Sequence, residues 1–278
     1  MARCDVCFHH CELREGQRGL CGARICLNGQ VVGESYGRIT ALALDPIEKK
    51  PLRRFHPGGM ILSVGSYGCN LRCPFCQNHS ISWSAEAMAL ADSAETIAPE
   101  RLAAEALRLK SRGNIGLAFT YNEPLVGWEF VRDAAKLTHE AGLLNALVTN
   151  GTAERHILEV LLPYIDAMNI DLKGFTERYY SRVLGGDLEM VKAFIARASE
   201  CCHVELTTLI VPGENDSEAE MRALSGWVAS LNADTPLHIS RFFPRFHMMD
   251  RAATDVRRVY RLAEVARERL NFVYTGNC

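Results

Sequence analysis

Residues 60–79 read "MILSVGSYGCNLRCPFCQNH". The first six form an apolar strand that runs without a break into a loop carrying Cys69, Cys73 and Cys76. Three thiols are an awkward number, because a structural zinc site closes on four ligands and disulfides take cysteines in pairs. Position supplies a reason. In parallel α/β folds, sites are built at the carboxyl ends of strands. An iron–sulfur cube has four irons, each wanting one protein ligand. A loop spaced by three and two residues wraps such a cube with three thiolates and leaves one iron open, as catalytic metal sites do. The competing reading is a structural zinc site that borrows His79 or a distant ligand.

Downstream of the loop the pattern alternates. Apolar strands are predicted at 114–120, 145–150, 167–172, 203–212, 236–242 and 272–276. Between them lie helical stretches at 98–112, 126–142, 153–165, 217–231 and 255–270, with two more helices between 176 and 201. In the first, Leu102, Ala106 and Leu109 recur at the spacing of one helix face. Strands alternating with helices of about 10–15 residues predict right-handed βαβ units around a parallel sheet. About six units are legible, so a partial (β/α)6 barrel and an open doubly wound sheet both fit. Residues 1–58 are read as a small Cys-rich unit with a connecting segment, and 59–278 as the α/β domain.

Composition narrows the class. Of 278 residues, 48% are hydrophobic, enough for a sizeable core without disulfides, and a net charge of −2 gives no bulk attraction to nucleic acid or a membrane surface. No stretch reaches the roughly 18 uninterrupted apolar residues of a membrane span, and "MARCDVCFHHCELREG" has no signal-peptide core. The expectation is a soluble, cytoplasmic protein. Eight of its eleven cysteines precede residue 80, which points to metal rather than disulfides. Cys4, Cys7, Cys11 and Cys21 can close a structural zinc or hold a second iron–sulfur cube, with His9, His10 and Cys26 as spare ligands. A segment so poor in apolar residues needs metal to fold.

The loop resembles the Cys-x3-Cys-x-aromatic-Cys signature of the radical S-adenosylmethionine (SAM) enzymes, here Cys69, Cys73, Phe75 and Cys76. In that superfamily the open iron of a 4Fe-4S cluster is chelated by SAM, whose reductive cleavage gives a 5′-deoxyadenosyl radical that abstracts hydrogen from a substrate. "AFTYNEP" resembles the family's Gly-Gly-Glu segment with both glycines replaced, which makes Glu123 the acid facing the methionine ammonium. "NIDLKGF" resembles the Asp-x-Lys of the pyruvate formate-lyase activating enzymes. Asp171 and Lys173 then support the cofactor carboxylate, the Asp through a monovalent cation. By alternation these two share a face while Leu172 points away. "LVTNG" offers Asn150, and "LHISRFFP" offers His238 as further cofactor contacts.

Over nearly its whole length, from the N-terminal cysteines through "LALDPIEKKPL", "TTLIVPG" and "VYTGN", the chain resembles the radical enzyme of the AmmeMemoRadiSam system, a relative of glycyl-radical-enzyme activases. The resemblance implies an electron donor such as flavodoxin or ferredoxin and a partner protein as substrate. It also implies further cysteines after "YTGN", where this chain ends at Cys278. A small-molecule substrate and a non-catalytic iron–sulfur or zinc scaffold are the alternatives.

Overall fold

The computed structural model describes residues 1–278, the side chain of Ala91 excepted. Its centre is one eight-stranded sheet: β1 (Ala41–Pro46), β2 (Met60–Gly65), β3 (Asn114–Phe119), β4 (Leu144–Thr149), β5 (Ala167–Asp171), β6 (His203–Ile210), β7 (Leu237–Arg241) and β8 (Val273–Gly276). Strand order in the sheet is chain order, with no reversal. A doubly wound sheet must reverse where its second half begins. Sequential addition therefore settles the question left open by the sequence, and the sheet is a partial barrel. Strands β2 to β8 are parallel, and β1 pairs antiparallel with β2, Ala41 opposite Gly65 and Pro46 opposite Met60.

The crossovers carry α1 (Pro99–Arg108), α2 (Trp128–Glu140), α3 (Arg155–Leu161), α4 (Leu188–Ser199), α5 (Glu218–Leu231) and α6 (Val256–Arg267), so six βα units are present. Their starts follow helix-end chemistry. Pro99 occupies the first position of α1, while Asp187 and Ser217 cap α4 and α5 by accepting N–H groups of Met190 and Glu220 at 2.9 and 3.1 Å. Leu102, Ala106 and Leu109 are all buried against the sheet, as their spacing predicts.

Two apolar layers result. Residues such as Met168, Ile170 and Leu172 face the helices and join the main core. On the inner face, Ala118, Ala146 and Ala167 are small, and Ile47, Leu52 and Phe55 fill the space above them together with Ile61. The segment after β1 is thus a plug inside the barrel. Polar groups fasten it: Asn169 donates to the Pro51 carbonyl at 2.9 Å, and the buried Glu205 carboxylate accepts the backbone N–H groups of Arg53 and Arg54 at 3.0 and 2.7 Å.

Candidate metal centre and cofactor site

The cysteine loop leaves β2 at its carboxyl end and is held from every side. Asn122 takes the Ser66 N–H on its amide oxygen at 3.0 Å and donates to the carbonyls of Tyr67 and Gly68, both at 3.1 Å. Arg72 donates to the carbonyls of Cys69 and Leu71 at 2.9 and 2.8 Å, and its own N–H reaches the Leu184 carbonyl at 2.7 Å. Phe75 is buried with its ring edge-on to Phe242, the centroids 6.2 Å apart. His79, the alternative zinc ligand, instead stacks on Phe246 at 4.4 Å.

Three further strand ends meet the loop. Glu123, just beyond β3, is buried; one carboxylate oxygen accepts the Leu125 N–H at 3.0 Å and the Thr149 hydroxyl at 2.7 Å, and the other accepts the Asn150 N–H at 2.8 Å. Burial pushes this carboxyl up to about 7 against those donors, and the nearby Asp171 adds to the push. Among the described residues no cation pairs with it. At the end of β4, the Asn150 amide donates to the Asn70 side-chain oxygen at 2.9 Å and toward the Cys69 sulfur at 3.8 Å. Asn70 passes the tie onward to the Thr152 carbonyl at 2.8 Å. Asn150 therefore positions Cys69 and its neighbour.

Asp171 and Lys173 end β5 as an ion pair, Nζ to Oδ2 2.7 Å, while Leu172 points into the core. Burial works against the ammonium, but Asp171 and Cys73 more than compensate, so Lys173 stays charged well above its ordinary range. Next comes a capped turn, Glu177–Tyr179, that widens into a π turn over Tyr180–Leu184, where a single helix was expected. The widening lets Tyr180 accept the Lys173 N–H at 3.0 Å and turns the Leu184 carbonyl toward Arg72. The Tyr179 hydroxyl is buried and, among the described residues, has no hydrogen-bond partner.

His238 is the second residue of β7, in the row that runs through Thr207 to Asp171. Its Nε2 is 2.6 Å from Glu205, in the polar layer that fastens the plug. Sequence reading passed over Glu205, Asn70 and Tyr179. Asn70 had a signal, a polar residue wedged between Cys69 and Leu71.

The donor set fits a soft-metal cluster and a zwitterionic ligand. Three thiols at one strand end are free, and burial raises Cys69 well above the usual thiol range and Cys73 to about 11, so a thiophilic metal is what would draw them into thiolates. Among the described residues, no three His, Cys, Asp or Glu side chains converge tightly enough for a single ion.

The Radical SAM superfamily profile matches residues 63–224, beginning in β2 and ending in α5. The chain belongs to the radical SAM superfamily. Membership implies SAM and a 4Fe-4S cluster as cofactors. The chain is 37% identical over 279 residues to "Uncharacterized protein MJ0808" of Methanocaldococcus jannaschii, covering 99% of this chain and 81% of that one. It is 28% identical over 168 residues to the pyruvate formate-lyase-activating enzyme of Clostridium pasteurianum, covering 59% of this chain and 67% of that one. Streptococcus suis SuiB shares the fold. Its SAM-bound structure superposes with a TM-score of 0.58 at 15% identity, over 76% of this chain and 48% of that one. The structure with precursor peptide SuiA gives 0.57 at 14%, over 76% and 47%. Among the described residues, no helix is long and apolar enough to cross a membrane.

Proposed function

We propose that this radical SAM protein is an activating-type enzyme that abstracts hydrogen from a partner protein. Cys69, Cys73 and Cys76 would hold the cluster, which would supply the electron for reductive cleavage of SAM. The observation that carries the reading is the meeting of three strand ends at that loop. Glu123 presents a buried carboxylate suited to an ammonium group, and Lys173, braced by Asp171, presents a cation suited to a carboxylate. A low-potential donor of the flavodoxin or ferredoxin class would supply the electron, and Asp171 would carry a monovalent cation.

A protein substrate is supported by the free edge of the sheet. Among the described residues no strand pairs with the outer side of β1, whose Ala41 faces Gly65, the last residue before the loop. An open groove of about 750 Å3 runs beside it, lined by Ala41, Leu42 and Ile81 among others. Such an edge suits an extended peptide segment pairing by its backbone. The relationship to a pyruvate formate-lyase-activating enzyme and the SuiB–peptide likeness point the same way.

The test is anaerobic reconstitution followed by dithionite and SAM. The chain is expected to bind about four irons at the radical site and to release 5′-deoxyadenosine, and Cys73→Ala to abolish the product. Product no higher than in that variant would reject catalysis. Adding purified proteins encoded beside it should raise the yield and leave a protein-borne radical in electron paramagnetic resonance. Stimulation by small metabolites alone would reject the protein substrate.

A further inference from the structure

We propose that Cys4, Cys7, Cys11 and Cys21 form a second, four-thiolate metal centre seated on the back of the radical loop, and that its metal locks that loop in shape. The ligand chemistry is thiolate, and since no three such side chains among the described residues converge tightly enough for a single ion, the occupant is an iron–sulfur cube. The site stands apart from catalysis, since it would exist in a chain unable to cleave SAM.

A short hairpin builds the first half. Ala2–Arg3 pairs antiparallel with Glu12–Leu13, and the Cys4 N–H donates to the Cys11 carbonyl at 2.9 Å. Cys7 sits in the turn, its carbonyl accepting the His10 N–H at 3.1 Å. Cys21 arrives from the next loop, and Cys11 Sγ lies 3.8 Å from where a Cβ on Gly19 would stand. None of the four is in a disulfide, and Cys4, Cys7 and Cys21 are buried. Apart from the thiols, Val6, Leu13 and Ala23 are the buried apolar residues of this unit, too little for a stable core.

The unit is bonded to the radical loop directly. Cys69 donates its N–H to the Cys21 carbonyl at 3.1 Å. Arg72 reaches the Leu20 carbonyl, and His9 Nε2 lies 2.8 Å from the Asn70 carbonyl. The Asn70 side chain in turn takes the amide of Asn150, the neighbour of Cys69. Fixing Cys21 on a metal therefore fixes the carbonyl against which Cys69 is set, and His9, two residues after Cys7, carries the constraint to the Asn70 backbone.

The test uses the full chain with Cys69, Cys73 and Cys76 all changed to Ala, which deletes the radical cluster alone. Prepared anaerobically with iron and sulfide, it should hold about four irons through gel filtration and a chelator. Adding C7S and C21S should release them. A triple variant that keeps its native circular dichroism yet retains no iron overturns the site. Should the cysteine variants fail to fold, the parent chain reconstituted in the same way replaces them, about eight irons per chain being expected and about four overturning the site. In the chain with an intact radical loop, C7S should lower chelator-resistant iron at that loop several-fold. Undiminished retention after loss of the second metal would overturn the locking role.

Discussion

The Glu123 carboxylate accepts the backbone N–H of Asn150 at 2.8 Å, which ties the carboxyl end of β3 to that of β4 beneath the cysteine loop. The bond makes an acid at a strand end part of the frame that holds Cys69, through the Asn150 amide. It also leaves a charge buried without a cation.

That burial has a pH signature. The Glu123 pKa is raised from 4.5 to about 7, so the folded chain binds this proton more tightly than the unfolded one does. Its contribution to stability is largest below about 4.5 and is lost as pH rises through about 7. The cost at pH 8 is on the order of 3 kcal/mol. Urea unfolding should show Glu123→Gln gaining on the parent chain between pH 5 and pH 8. Cofactor binding should reverse the sign, because an ammonium opposite Glu123 favours its charged form. SAM should then bind to the cluster-loaded parent with proton release near pH 6.5, detectable as a buffer-dependent calorimetric heat, and Glu123→Gln should lose that release. Equal proton release from the two chains would refute the pairing.

Gly68 tests the contact between the loop and the N-terminal unit. Its φ is +93°, and a Cβ there would stand 2.6 Å from Ala23 Cβ and 2.8 Å from the Cys21 carbonyl oxygen. Gly142 has a similar φ of +71° with nothing within 4 Å. Both Ala variants meet the left-handed penalty of about 1 kcal/mol, but only Gly68→Ala must also push the two loops apart. Gly142→Ala is expected to lose stability and keep its iron. Gly68→Ala should lose roughly 1–3 kcal/mol together with iron at the radical loop. Indistinguishable variants would mean that the two loops do not constrain each other.

The Tyr179 hydroxyl separates the free chain from the loaded one. A buried hydroxyl with no partner costs about 1–3 kcal/mol, so Tyr179→Phe should raise the thermal midpoint of the metal-free chain. The same change should weaken SAM binding to the cluster-loaded chain, if the hydroxyl faces the ligand. A lower midpoint without metal, or unchanged SAM affinity, would remove Tyr179 from the site.

Most of this frame was legible because parallel strands write their burial locally. Continuous apolar runs marked β2 to β8 to within about two residues, and the cysteine spacing singled out the loop that the ends of β3, β4 and β5 meet. The inner plug was not legible. Ile47, Leu52 and Phe55 follow no helix or strand period, since the cavity they fill is made by alanines about 65 to 120 residues further on. The edge pairing of β1 likewise depends on a partner strand across a turn at His56–Gly59. For His238 the strand was right and the neighbour was missing: nothing in "LHISRFFP" announces that Glu205, 33 residues earlier, lies 2.6 Å away.

Glu205 gives the lower layer its own test. Burial alone would raise its pKa, but His203, His238 and the N–H groups of Arg54 and Arg53 outweigh it and bring the value down from 4.5 to about 2. A depressed carboxyl contributes stability that is fully present above about 4.5 and is lost as pH falls through about 2, an effect on the order of 3 kcal/mol. Glu205→Gln leaves the same donors facing an amide with one acceptor oxygen. It should cost about 2–4 kcal/mol at pH 7 and much less at pH 3, where the parent chain has itself lost part of the interaction. His238→Ala should follow the same pattern, with SAM affinity in the cluster-loaded chain unchanged. A selective loss of SAM affinity at full stability would restore His238 to the cofactor site and displace it from the plug.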